Sequence, residues 1–112
     1  MIDSYKFGEI VIDGVKRSSD VIIHPGRVQE NWRRKEGHCL RADDLASVFE
    51  EKPDILVIGT GYSGMMSVPG ETKDLVLSKG IKLIVLRTKE AVAEFNRLSG
   101  GGRVCGAFHL TC

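Results

Sequence analysis

The chain has few cysteines, no bias of charge and no long apolar run, and each lack removes a class of explanation. Its three cysteines, Cys39, Cys105 and Cys112, are odd in number and include no C-x-x-C pair, which argues against a disulfide framework and fits a reducing, cytoplasmic setting. Sixteen Lys and Arg stand against fifteen Asp and Glu, a formal net charge of +1, whereas nucleic-acid binders carry a basic excess on one face. No nucleic-acid partner is expected. The apolar runs are too short to cross a bilayer, and the opening residues contain Asp3 and Glu9 with no stretch of signal-peptide length, so neither membrane insertion nor export is expected. Internal repeats are absent, and Gly100-Gly101-Gly102 is the only low-complexity stretch.

What is present suffices for one domain over residues 1–112, because a 42% hydrophobic content can fill one core without metal or disulfide staples. Tyr5 to Ile12 is rich in β-formers and ends at Asp13-Gly14, a two-residue turn signature leading into Val15 to Arg17. Val21 to His24 is a second β-rich run closed by Pro25-Gly26, and Arg27 to Arg34 reads as its continuation, carrying Val28 and Trp32. The first third is therefore expected to be antiparallel β structure.

Helical spacing then replaces alternation. Leu45, Val48 and Phe49 fall at i, i+3 and i+4, Asp43 and Asp44 occupy the opening turn where negative charge suits the helix dipole, and Pro53 ends the segment. Asp54 to Ile58 is a continuous apolar run after its first residue, the pattern of a strand buried on both faces. A helix is expected over Gly70 to Lys79, closed by Gly80. A second buried strand covers Ile81 to Leu86, Thr88 is placed to cap a helix bearing Ala91, Val92, Phe95 and Leu98, and Val104 to Leu110 forms a last strand. Strand, helix, strand, helix implies right-handed parallel packing.

Gly59-Thr60-Gly61-Tyr62-Ser63-Gly64 matches G-x-G-x-x-G directly after a buried strand. Such glycines let backbone approach a phosphate, and Arg87 ends the next strand, near where a ribose or 2′-phosphate contact would fall. Against a dinucleotide site, Pro69-Gly70 starts the helix several residues late and the chain is too short for two mononucleotide-binding halves. A tight turn needing glycine freedom is the plainer reading, and a small anion site lies between the two.

Other constellations are weaker. Ser63 lacks the second glycine of a nucleophile elbow because Met65 stands there, and the order Ser63, Asp74, His109 does not define a triad without geometry. Cys105, His109 and Cys112 fit no common zinc module, and free cysteine is often simply buried. Trp32 and Arg33, with Arg34, Lys35 and Glu36, combine an aromatic with basic residues, as contact patches do, although a core tryptophan beside a solvated charged loop is the plainer account. Met65 and Met66 suggest a soft apolar lip on the glycine turn.

Taken together, Pro25-Gly26, Trp32-Arg33 with Glu36-Gly37, Leu56 to Gly59 with Gly61, Val68-Pro69, Gly80-Ile81, Thr88, Ala91-Val92, Asn96, Leu98, Arg103-Val104, Phe108-His109 and Thr111-Cys112 resemble the small Mth-domain family. The resemblance spans nearly the whole chain and extends to the family's adipogenesis-associated branch and, more distantly, to assembly factors of mitochondrial respiratory complex I. It implies a three-layer α/β fold with a mixed, partly parallel central sheet and an added N-terminal antiparallel β layer. It implies no established reaction or cofactor, and a protein closer to an assembly or regulatory factor than to an enzyme.

The third glycine is not a general feature of that family, so Gly59-x-Gly61 is the part of the turn that counts. Thr88, Asn96 and Arg103 are expected to flank the carboxyl ends or turns of the central strands, where α/β folds place ligands. The candidate ligand pocket is thus Gly59, Thr60, Gly61, Tyr62, Ser63, Arg87, Thr88, Asn96 and Arg103. The candidate protein contact is Trp32, Arg33, Met65 and Met66. Catalytic residues, a metal and a cofactor are not expected; the partner is a protein or a small anionic ligand.

Overall fold

The computed structural model describes all 112 residues. Three short strands, β1 (Ile2–Lys6), β2 (Glu9–Ile12) and β3 (Val15–Arg17), form a separate antiparallel sheet in the order β1-β2-β3. The expected single strand over residues 5–12 is therefore two strands joined at Phe7-Gly8. Gly8 adopts a left-handed backbone (φ 77°), which reverses the chain and turns Ile2, Ile10 and Ile12 to one buried face. Asp13-Gly14 makes the second turn as expected, with both residues at positive φ.

The main sheet has the order β5-β4-β8-β6-β7, formed by β4 (Val21–His24), β5 (Arg27–Gln29), β6 (Ile55–Gly59), β7 (Lys82–Leu86) and β8 (Val104–Phe108). β6 pairs in parallel with both β7 and β8, while β4 runs antiparallel to β8 and β5. β5 ends at Gln29 rather than Arg34, because Asn31 takes a left-handed backbone (φ 55°) that breaks the extended run. Trp32 then turns inward.

A 3-10 turn (Ala42–Leu45) leads into α1 (Ala46–Glu51), and the Asp44 carboxylate accepts the Arg41 N–H at 2.9 Å at its start. Lys52 closes α1 in a left-handed conformation immediately before Pro53. α2 (Gly70–Ser78) and α3 (Thr88–Leu98) follow β6 and β7 respectively.

Alternation along the buried strands divides the core between the two faces of the main sheet. Leu56, Ile58, Ile22, Cys105 and Ala107 pack with Leu45, Val48 and Val76 on the α1 and α2 side. Val57, Val21, Ile23, Val104 and Phe108 pack with Ala91 and Phe95 of α3 and with Ile2, Ile10 and Ile12 of the small sheet. The layers are thus helices, central sheet, and a third layer shared by α3 and the N-terminal sheet. Asn96 joins the last two, its Oδ1 accepting the Ile2 N–H at 2.9 Å and its Nδ2 donating to the Ile2 carbonyl at 2.8 Å.

Candidate functional site

The connections after β6 and β7 put α2 and α3 in opposite layers, so the crevice at the carboxyl ends of those strands is where this class of fold places ligands. Here that crevice is closed by the chain itself. Gly59 packs so tightly that a Cβ would sit 2.8 Å from Thr88 Oγ1 and 2.9 Å from Phe108 Cδ1. Gly61 has φ +112°, and a Cβ there would lie 2.6 Å from the Cys112 carbonyl oxygen.

The amides of the turn are spent internally. Thr60 donates to the Leu86 carbonyl (2.9 Å), Gly61 to Thr88 Oγ1 (2.8 Å), Tyr62 to the Thr111 carbonyl (2.7 Å), and Met65 to the Cys112 carbonyl (2.8 Å). Gly64 and Met66 donate to carbonyls within the turn, leaving the Ser63 amide as the one from Thr60 to Met66 with no acceptor in the protein. A phosphate cradle needs several amides converging on the ligand, and this turn does not have them to offer.

The remaining sequence candidates separate. Thr88 does not cap α3; Arg87 holds that position, and the fully buried Thr88 hydroxyl instead receives Gly61 N–H and donates to the His109 carbonyl at 2.6 Å. Arg87 is exposed, its stem against Gly64 and its Nε donating to Glu90 at 3.4 Å. Asn96 clamps Ile2 as described, and Arg103 lies just before β8, at the amino ends of the parallel strands, where it binds the Glu51 carbonyl and carboxylate. Thr88, Asn96 and Arg103 thus serve three different joints and do not form the shared polar site that the sequence suggests, because Arg103 precedes its strand rather than following it.

The contact candidates divide likewise. Trp32 is 4% exposed and Met66 2%, both in the core, with Trp32 Nε1 donating to the Asp44 carbonyl at 2.9 Å. Arg33 and Met65 are exposed. Consecutive residues leave a turn in different directions, so the lip is Met65 without Met66. Met65 is 56% exposed, as is Tyr62, whose ring meets that of Phe7 edge-on at 5.8 Å; Phe7 is 55% exposed. Two turns from different sheets therefore meet through the exposed Phe7 and Tyr62 rings.

A polar cluster missed by the sequence reading lies beyond the carboxyl end of β8. His109 Nδ1 lies 2.7 Å from Asp20 Oδ2, Arg34 Nη2 lies 2.9 Å from the same oxygen, and Asp20 Oδ1 accepts the Leu110 N–H at 2.8 Å. Burial raises the Asp20 pKa, but the hydrogen bonds from His109, Leu110 and Arg34 outweigh it and hold the carboxyl below its ordinary value. Arg34 stacks on Trp32 at 4.8 Å and donates from Nε to the Gly37 carbonyl at 3.0 Å. Tyr5 bridges towards the glycine-turn face, donating its hydroxyl to the Leu110 carbonyl at 2.8 Å, and burial, with Tyr62 and Asp20 adding to it, pushes its phenol up to about 12.

This partnership also changes the other readings of His109. The carboxylate on His109 is Asp20, not Asp74, and Cys105 makes its own contact with His24 Nδ1 at 3.6 Å, towards the other end of β8. No signal in the sequence joins Asp20 to His109, since the two residues stand 89 positions apart and meet only through β4 and β8 pairing.

A family model described as a protein of unknown function (DUF498/DUF598) matches residues 2–109. The chain belongs to that family. A conserved hypothetical protein of Pyrococcus horikoshii is 32% identical, with the match covering 100% of this chain and 99% of that one at a TM-score of 0.85. The protein MT938 is 30% identical over 100% of this chain and 98% of its own, at a TM-score of 0.82. A Mth938-like domain of Bordetella pertussis, 21% identical over 98% of this chain and 85% of its own, has the same fold at a TM-score of 0.72. The family therefore agrees with the resemblance seen in the sequence, and its fold is the three-layer arrangement described above. No helix is long and apolar enough to cross a membrane.

Proposed function

We propose that the chain is a non-catalytic binding module of the assembly or regulatory kind, working in a reducing, cytoplasmic setting, whose docking face is the apolar surface over the glycine turn. The observation that carries this reading is the aromatic contact between Phe7 and Tyr62, both more than half exposed, with Met65, equally exposed, on the same turn as Tyr62. Large rigid aromatics and methionine are the side chains that anchor protein interfaces. The turn beneath them is held by its own hydrogen bonds to residues 111 and 112, so little order has to be gained on binding. Three unpaired cysteines support the reducing setting.

The partner on this reading is a protein presenting apolar side chains to the face. A photo-crosslinking amino acid placed at Tyr62, with a second copy of the experiment at exposed Lys16 on β3, tests it in native lysate. A discrete adduct formed at Tyr62, absent at Lys16 and lost in a Met65→Asp background, is expected. Adducts that are the same at both positions, or indifferent to Met65→Asp, would remove the glycine-turn face from consideration.

A further inference from the structure

We propose that the outer edge of β7 is an interface for a second copy of this chain, the two β7 strands pairing antiparallel about a two-fold axis at Ile84 and joining the main sheets of both copies into one. β7 ends the sheet order β5-β4-β8-β6-β7, and no strand lies beyond it. The interface requires nothing of the glycine-turn face.

The backbone fixes what this edge can take. Lys82 N–H donates to the Asp54 carbonyl at 2.9 Å and the Leu86 carbonyl accepts the Thr60 N–H at 2.9 Å, so Lys82, Ile84 and Leu86 direct their main-chain groups to β6. That direction alternates along a strand, which turns the N–H and C=O of Leu83 and Val85 outward, and β7 pairs with no strand but β6. In a two-fold antiparallel pair centred on Ile84, Leu83 falls opposite the partner's Val85 and Val85 opposite the partner's Leu83, each as a hydrogen-bonded pair. The outward groups of both residues are then satisfied in both copies.

The other sheet edges are blunted, and this one is not. Ile2 of β1 is clamped by Asn96, β3 is three residues that include Lys16 and Arg17, and β5 is three residues that begin with Arg27. β7 carries four consecutive aliphatics, Leu83 to Leu86, with no proline, bulge or internal charge, and Leu86 is 36% exposed. An apolar edge without such guards is a template for another strand. Charge favours a second copy in the antiparallel sense. Lys82, exposed at the start of β7, takes part in none of the protein's ion pairs, and Glu90 stands beside the end of β7, accepting from Arg87 Nε at 3.4 Å. The register that sets Leu83 against Val85 brings Lys82 opposite the partner's Leu86 and towards the partner's Glu90, twice by symmetry, while the Arg87 stem lies back against Gly64.

The test is sedimentation velocity of the full chain from about 1 μM to about 1 mM, with amide–water exchange measured by NMR over the upper part of that range. The mass should rise from one chain to two. As it does, the Leu83 and Val85 amides should exchange more slowly, while the Ile84 amide, already bonded to β6, keeps its rate. Lys82→Glu sets like charges together at two symmetric positions and should weaken the dimer about tenfold. Glu90→Lys should do the same, and the double exchange, which restores opposite charges, should recover most of the loss. Both residues are exposed, so the variants should unfold at the wild-type denaturant concentration. A chain that stays monomeric throughout overturns the proposal in favour of a different occupant or none. A dimer in which the Leu83 and Val85 amides keep their monomer rates, or which ignores Lys82→Glu, or which gains nothing from the double exchange, overturns it as well.

Discussion

His109 and Asp20 meet at 2.7 Å, the residue that follows the last strand bound to the residue that precedes β4. With Arg34 on the same carboxylate oxygen, the contact ties one end of the main sheet to the loop between β5 and α1. The three groups around this carboxylate, His109 and the Leu110 amide after β8 and Arg34 in the loop after β5, come from two distant segments, so its loss is felt widely.

Asp20→Asn should destabilise the protein by about 3 kcal/mol, since it strands a buried guanidinium without its counterion. The acid dependence gives an independent check. The Asp20 carboxyl is held below its ordinary value in the folded protein, so its contribution is fully present above an unfolded pKa of about 4 and is lost as pH falls through the lower folded value. Urea denaturation between pH 2 and 6 should show a steeper acid loss in wild type than in Asp20→Asn.

Thr88→Val removes a hydroxyl that satisfies both the Gly61 amide and the His109 carbonyl inside the core. Leaving two buried backbone groups unpaired should cost about 2–4 kcal/mol, whereas Thr88→Ser, which keeps the hydroxyl, should cost about 1 kcal/mol. Hydrogen exchange distinguishes a local from a global effect. Faster exchange at Gly61 in Thr88→Val, beyond the change at Leu56 and Val57, is expected from the lost acceptor.

The cysteines should differ sharply in reactivity. Burial pushes the Cys105 thiol up to about 12, with the Glu51 carboxylate adding to it, while Cys112 is exposed. Below that value Cys105 remains a thiol, and the thiolate is the reactive form. Maleimide labelling at pH 8 read by peptide mass spectrometry should modify Cys112 in the native protein and Cys105 only after denaturant is added.

The architecture is largely legible in the sequence, since period and turn chemistry act locally. The apolar run Leu56 to Ile58, the Asp13-Gly14 turn and the Gly80 stop each declare themselves within a few residues, and each is found in its expected place. Phe7-Gly8 was hidden because Phe7 continues the β-forming run that it interrupts. The sites were far less legible. Asp20, Arg34 and His109 converge through strand pairing between distant segments, and adjacent residues such as Met65 and Met66 share a composition but face water and core respectively. Thr88 has the residue type of a cap, yet Arg87 holds that position and the threonine serves a neighbouring turn.

The grip of Asn96 on both backbone groups of Ile2 spans 94 positions. On the ribosome, β1 must therefore wait for α3 before its outer edge is secured. The β1-β2-β3 sheet is made well before the elements that cover it, and during that interval its buried face of Ile2, Ile10 and Ile12 is open to other chains. Closure over so long a separation is slow compared with local pairing, and that face is covered only when α3 and β8, which supply Phe95 and Phe108 to the same core, have both been made.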